Sequence, residues 1–285
     1  MEPTVTATPR PPIPSAARTA PARPGCPSCY WSVQSGHSLR LTMILRKNLN
    51  CLWTLGLCLV ASTSSPTVPS ITDQKFIKHC VEAHNEMRGK VQPVAANMKY
   101  MSWDEGLAKI AKAWTNKCKF EHNTCLAKSY KCHPKFQYVG ENIWLGGLSI
   151  FTPHSAIEAW YNETEFYNFN KLSCSNVCGH FTQVVWADSY KVGCALTACP
   201  NLGDYGAAIF ICDYGPAGNY PNMAPYVIGS SCSACADEDT CVKKLCQNKE
   251  RDSLQTYPNW NPPGLAPQQT ACSPLCLILV LLRMF

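Results

Sequence analysis

The chain has 285 residues, 46% of them hydrophobic, enough for one large domain or two small ones with buried cores. It carries 25 Lys and Arg against 19 Asp and Glu, but residues 1–65 hold six of those cations and one acid, a net +5 of the total +6. The remainder is close to neutral, with no basic stripe to hold nucleic acid. Nineteen cysteines, with no Cys-x2-Cys pair matched by a second at zinc-finger spacing, argue against an ordinary cytosolic chain and favour a disulfide framework over structural zinc.

Residues 1–42 are rich in Pro, Ala and Arg and have little apolar patterning, so they read as disordered or as an upstream extension absent from the secreted product. Residues 43–65 read as a signal peptide. Met43 is followed by the basic Arg46 and Lys47, an apolar run from Leu52 to Val60, and the small residues Ala61, Ser62 and Thr63, and the run is too short to span a bilayer. A Pro/Ser/Thr linker follows. From Thr72 and Asp73, good cap types, a helix is predicted to about Arg88, with Phe76, Ile77, Cys80, Val81 and His84 on one face. Ser102 and Glu105 have capping-box spacing ahead of a second helix striped with Leu107, Ile110, Ala111, Trp114 and Cys118. Thr152-Pro153 opens a third, carrying Ile157, Trp160 and Tyr161, with Glu163 one turn past Trp160.

The period then changes. Thr182–Trp186, Val192–Thr197 and Ala207–Asp213 are predicted as strands, and helices first with strands later indicate an α+β fold in which helices cover an antiparallel sheet. Residues 226–250 include four cysteines in fifteen residues, Cys232, Cys235, Cys241 and Cys246, and read as a small module stapled by disulfides. Residues 251–285 read as linker and hydrophobic tail. The apolar run Leu275–Leu282 is too short to cross a membrane, and its pattern is that of a lipid-anchor signal, weakened by Arg283. Fifteen cysteines follow the signal, an odd number, so at least one is free, bonded between chains or lost with the tail; Cys272 and Cys276 are the candidates.

Four residues carry possible chemistry: His122 just past the second helix, Glu141 after Gly140, Glu163 on the third helix and His180 at the start of the first predicted strand. Neutral imidazole is a good ligand for zinc or copper, and a carboxylate fixes its tautomer or takes a proton. Each residue alone is more readily read as structural, since a lone His is more often packed in a core than a ligand and a lone Glu is commonly a solvated charge or a partner for a backbone N–H.

"GHFTQVVWADS" (179–189) and "IFICDYGPAGNY" (209–220) resemble the two signature motifs of the CAP superfamily: cysteine-rich secretory, antigen-5 and pathogenesis-related-1 proteins. "HNEMR" (84–88), "CKFEH" (118–122) and "GENIW" (140–144) are similar to three further blocks in the same order, and "KYMSWDEGLAKIAKAW" and "WYNETEFYNF" resemble the glioma pathogenesis-related branch. The resemblance implies an α-β-α sandwich over residues 70–225, followed by the family's short cysteine-rich hinge. It also implies a large cleft holding His122, Glu141, Glu163 and His180, with His122 and His180 as ligands of a weak, exchangeable zinc. His84 falls outside that set and is read as a buried structural histidine.

The resemblance further implies a secreted or surface-anchored binding and adhesion module rather than an enzyme. Its partners would be cell-surface proteins, lipids or sterols, including egg-surface components, and its setting the sperm surface or acrosome, with membrane attachment through a GPI-type anchor. The alternatives are a metal-assisted hydrolase (a protease) and an interaction protein with a vestigial cleft. The larger domain that blocks ion channels in some family members has no counterpart here. Disulfide candidates are Cys118, Cys125, Cys132, Cys174, Cys178, Cys194, Cys199, Cys212, Cys232, Cys235, Cys241 and Cys246, in undetermined pairing. Asn162-Glu163-Thr164 is a glycosylation sequon overlapping the cleft residue Glu163; adjacent helical side chains point about 100° apart, so a glycan on Asn162 would face away from it. Gly179 is read as permitting close approach beside His180, and Asp213 stands where the second signature commonly has asparagine, an extra acid without an assigned role.

Overall fold

The structure, a computed structural model, describes residues 67–202 and 207–263. The upstream extension, the signal peptide and the tail from residue 264, with Cys272 and Cys276, lie outside the described residues.

Helix α1 (Gln74–Gly89) begins where Asp73 accepts hydrogen bonds from the amides of Lys75 and Phe76, and it buries Phe76, Cys80, Ala83, His84, Met87 and Arg88. Strand β1 (Ser102–Trp103) precedes α2 (Glu105–Thr115). The cap of α2 is therefore Asp104, accepting from Leu107 N, and not the expected Ser102: Ser102 and Trp103 are engaged in strand pairing, and the carboxylate one residue later has the shorter reach to the helix amides. Strand β2 (Gly140–Gly147) leads through a 3₁₀ turn (Leu148–Ile150) to α3 (Pro153–Tyr161), which carries a reciprocal Thr152–Ser155 cap and Pro153 in its first turn. A second 3₁₀ turn (Asn162–Phe166) holds Glu163, so this acid lies beyond the end of the helix on which it was expected. Short strands β3 (Tyr167–Asn168) and β4 (Ser173–Cys174) form a small ladder before α4 (Gly179–Val184).

That last helix corrects the expected strand over 182–186. The β-branched Thr182, Val184 and Val185 suit a strand, but Arg88, wholly buried, gathers the carbonyls of Val184, Trp186, Ala187 and Ser189 around one guanidinium, an arrangement an extended strand could not offer. Gly179 has no special demand on it either: a Cβ there would meet only the Asn219 amide at 3.9 Å, an ordinary contact.

The main sheet has the order β1-β5-β6-β2, with β5 (Lys191–Cys199) and β6 (Ala207–Gly215) as its long central strands. β2–β6 and β5–β6 are antiparallel as expected, whereas β1 pairs with β5 in parallel. Alternation sorts the side chains onto two faces. Ala195, Ile209, Ile211 and Ile143 pack with Ala111 and Trp114 of α2 on one face; Leu196, Phe210, Cys212 and Tyr214 pack with α1, α3 and α4 on the other. The result is the implied α-β-α sandwich. α2 lies so close to the sheet that a Cβ on Gly193 would overlap the backbone of Leu107 and Ala108, a position only glycine fills.

All twelve candidate cysteines pair: Cys118–Cys199, Cys125–Cys132, Cys174–Cys178, Cys194–Cys212, Cys232–Cys241 and Cys235–Cys246. Cys80, buried in α1 against the core, is the free cysteine among the described residues. The cysteine-rich segment forms a hairpin, β7 (Thr240–Val242) with β8 (Leu245–Gln247), and it is docked: Cys246 bonds Met98 O and Tyr100 N across residues 98–100, and Leu245 is fully buried.

Residues 251–263, expected as linker, also pack on the domain. Tyr257 donates to Asp104 at 2.9 Å, Lys191 reaches Ser253 O at 2.6 Å, and Tyr257 and Trp260 set their ring edges against the buried His133. With no apolar periodicity of its own, the segment gave no helix or strand signal; two aromatic anchors and borrowed polar groups hold it instead.

Candidate functional site

The four candidate residues form two imidazole–carboxylate pairs. In the first, the loop after α2 is tied to the end of β5 by Cys118–Cys199. The Trp114 indole, donating to Glu121 O at 2.6 Å, then sets the residue before His122. His122 Nδ1 donates to Glu141 Oε1 at 2.8 Å, and the Asn123 amide donates to the same oxygen at 3.0 Å. Glu141 is almost wholly buried at the start of edge strand β2, whereas the His122 side chain is 65% exposed. The hydrogen bond to Glu141, aided by its charge and opposed by partial burial, raises the His122 pKa above the ordinary imidazole value.

In the second pair, His180 Nδ1 donates to Glu163 Oε1 at 2.6 Å, while Glu163 Oε2 accepts the amides of His180 at 3.0 Å and Phe181 at 3.3 Å. One carboxylate thus caps α4 and fixes the ring of its second residue. This supplies the cap that Cys178, the residue before α4, does not provide through its own side chain. Trp160 of α3 lies parallel to the His180 ring, centroids 6.2 Å apart, and stacks in turn on Phe210 in the core. Asn162, the sequon residue, is exposed at the end of α3 while Glu163 turns toward His180.

Strand β2 stands between the pairs. Glu141 and Asn142 are consecutive and project to opposite faces: Glu141 holds His122, and the Asn142 amide donates to His180 O at 3.0 Å. Asn142 also donates to Tyr214 Oη at 3.2 Å; Tyr214 Oη donates to His84 Nε2 at 2.9 Å; His84 Nδ1 donates to Cys80 O at 2.8 Å. A buried chain of hydrogen bonds therefore runs from α1 through the sheet to the backbone of His180. Sequence reading isolated His84 as a buried residue but missed Asn142 and Tyr214; both sat inside quoted motifs, and their alternation opposite Glu141 and Asp213 was the available signal. Burial holds the His84 pKa down at about 4, so it is a neutral link in this chain.

Both imidazoles commit Nδ1–H to a carboxylate, which leaves each Nε2 as a lone-pair donor, the form a divalent metal takes. Each imidazole thus offers a nitrogen of the type divalent metals take, His122 with Glu141 behind it and His180 with Glu163 behind it. Among the described residues, no three of these four bring ligand atoms within 4.8 Å of one another; the set that does is Cys235, Asp239 and Cys246. That set is not a metal site. Cys235 and Cys246 are bonded to each other, and Asp239 is engaged by Arg251 through two bonds of 2.9 Å. Two surface grooves, of about 640 Å3 between α1 and the β7–β8 turn and about 350 Å3 beside the start of α1, contain none of the four.

A disulfide-laced α-β-α sandwich carrying two such His–Glu pairs defines a class of protein folded in an oxidising compartment. The chain belongs to the cysteine-rich secretory protein family (CAP), whose pattern matches residues 81–214. It is 63% identical to GLIPR1-like protein 1 of Homo sapiens over 243 residues, 85% of this chain and all of that protein. It is 54% identical to glioma pathogenesis-related protein 1 of Mus musculus over 205 residues, 70% of this chain and 77% of that protein. Among solved structures it is similar to NaASP2 with Zn2+, at 26% identity and a TM-score of 0.51, over 63% of this chain and all of that one. No helix among the described residues is long and apolar enough to cross a membrane.

Proposed function

We propose that the chain is an extracellular binding and adhesion module of the CAP family that presents His122 and His180 to a weakly held, exchangeable divalent metal. The observation that carries this reading is that both imidazoles are oriented by carboxylates through Nδ1. The similarity to a structure described with Zn2+ supports it. A metal held by two protein nitrogens keeps open coordination positions for a partner's ligands, and supplies there an exchangeable electrostatic contact. The residues' own part is to orient two imidazoles: Glu141 and Glu163 accept the Nδ1 protons, and Trp160 restrains the His180 ring.

In this reading the chain acts at a cell surface, in sperm–egg interaction, recognising a surface protein or a lipid or sterol, with attachment through a lipid anchor. Resemblance to the glioma pathogenesis-related branch supports that setting. Hydrolysis is disfavoured because neither carboxylate is left free as a general base: Glu163 uses both oxygens as acceptors, and the second oxygen of Glu141 is buried.

Zinc titration by calorimetry tests the metal. His122→Ala with His180→Ala should abolish binding in a protein that still folds, with a lowered melting temperature because Glu141 and Glu163 each lose a donor; unchanged zinc affinity would refute the assignment. Adhesion of the full chain to gamete membranes, compared between the wild type and this double variant, separates a working site from a vestigial one.

A further inference from the structure

Asp213 is the acid without an assigned role. It stands on β6 in register with Glu141 of β2, so the two carboxyl side chains leave the same face of the sheet from β-carbons about 5 Å apart. Its partner on the other side is Gly193 of β5, which has no side chain and lies under the backbone of α2. Asp213 is wholly buried, and the Glu141 side chain is 1% exposed. Of the four carboxyl oxygens, only Glu141 Oε1 meets donors, His122 and Asn123. Glu141 Oε2 and both oxygens of Asp213 have none.

Two bare negative charges side by side in a buried site are costly, and no lysine or arginine among the described residues pairs with either. A single proton removes the conflict. It cancels one charge, and it turns one orphaned oxygen into a donor for another. Glu141 is the better place for the remaining charge, because two N–H groups already point at it; Asp213 has only desolvation and its neighbour's charge, which together push its carboxyl well above the usual range.

We propose that Asp213 is a protonated carboxylic acid at neutral pH and donates its O–H to Glu141 Oε2, so that the two residues form an acid–carboxylate pair that orients Glu141 toward His122. Asp213 is a positioning residue for the imidazole, since it touches Glu141 and no ligand. The inference deepens the reading of His122–Glu141 as a metal-presenting pair, but its test requires no metal. Asparagine at 213 offers an N–H in place of the acid's O–H and is the conservative replacement; leucine offers nothing.

Infrared spectroscopy of the full chain at pH 7, with 13C-labelled aspartate and in H2O and D2O, reads the proton directly. The folded wild type should show one protonated-carboxyl C=O stretch that shifts with the aspartate label, and Asp213→Asn should lack it. Thermal melts supply the second measurement. The raised folded pKa of Asp213 gives a stabilising contribution that is full below the unfolded value near pH 4 and is lost as pH rises. Asp213→Asn does not titrate, so its melting temperature should rise relative to the wild type from pH 4 to pH 8, while Asp213→Leu should melt below Asp213→Asn throughout.

Absence of the band in the folded wild type would overturn the proposal, as would a band that follows labelled glutamate. A band that emerges only after exhaustive removal of sodium and calcium would assign the neutralising charge to a cation and also overturn it. Failure of zinc to bind the wild type would count against the metal reading alone, because the band is recorded without metal.

Discussion

The two imidazole–carboxylate pairs are built in opposite ways. At His122–Glu141 the acid is the stationary partner, buried in the sheet, and the imidazole stands 65% exposed on a loop. At His180–Glu163 the imidazole is the stationary partner, held through Nδ1, its ring face and its own carbonyl. The difference teaches where ordering entropy falls: the His180 nitrogen is already held in place, whereas ordering the exposed His122 ring costs rotamer freedom.

The largest expected effect comes from breaking the support of the looser half. Cys118–Cys199 closes a separation of 81 residues, so Cys118→Ala with Cys199→Ala should cost about 4 kcal/mol in the chain-entropy view. Chemical denaturation measures the loss, and hydrogen exchange should find the Asn123 amide, bonded to Glu141, exchanging faster while the α4 amides stay protected. A loss under about 1 kcal/mol would mean that packing of α2 on the sheet already holds the loop.

The tighter half is broken by acid through His84. Its folded pKa near 4 lies below the ordinary value of 6.5, so the stability it confers is complete above pH 6.5 and disappears as pH falls toward 4. That difference corresponds to roughly 3 kcal/mol. Denaturation midpoints at stepped pH should decline over this window, and His84→Gln should flatten the decline. An equal decline in the variant would remove His84 from the acid response and uncouple the hydrogen-bonded chain behind His180 from it.

The smallest effect sharpens the comparison. Glu163→Gln keeps the shape of the cap but loses its charge, at a cost of about 1 kcal/mol, the usual premium of a charged acceptor. Ring-nitrogen NMR should show His180 losing its fixed tautomer while His122 is unaffected. A simultaneous change at His122 would reveal coupling across β2 that the separate hydrogen bonds do not provide.

Legibility followed the range of the interaction. Helices α1 and α3 were readable because Asp73 and Thr152-Pro153 act within a few residues of themselves. β5 and β6 were readable from their β-branched runs, and the disulfide framework from composition. α4 was not, because its cap comes from Glu163 and its last carbonyl, that of Val184, is taken by Arg88, partners 17 or more residues away. β2 was not assigned as a strand, since its glycines and Asn142 dilute the signal and only pairing with β6 declares it. The odd cysteine turned out to include Cys80, hidden on a helix face that looked merely apolar.

By itself the sequence determined the compartment chemistry, the α+β class, the two signature motifs and the identity of the two histidines and two acids, because these depend on residue type and local order. Which acid serves which histidine, that Asn142 and Tyr214 brace one of them, and that Asp213 comes to lie against Glu141 were decided only in three dimensions. Strand register sets those meetings, and register is a property of the packed sheet rather than of any stretch of chain.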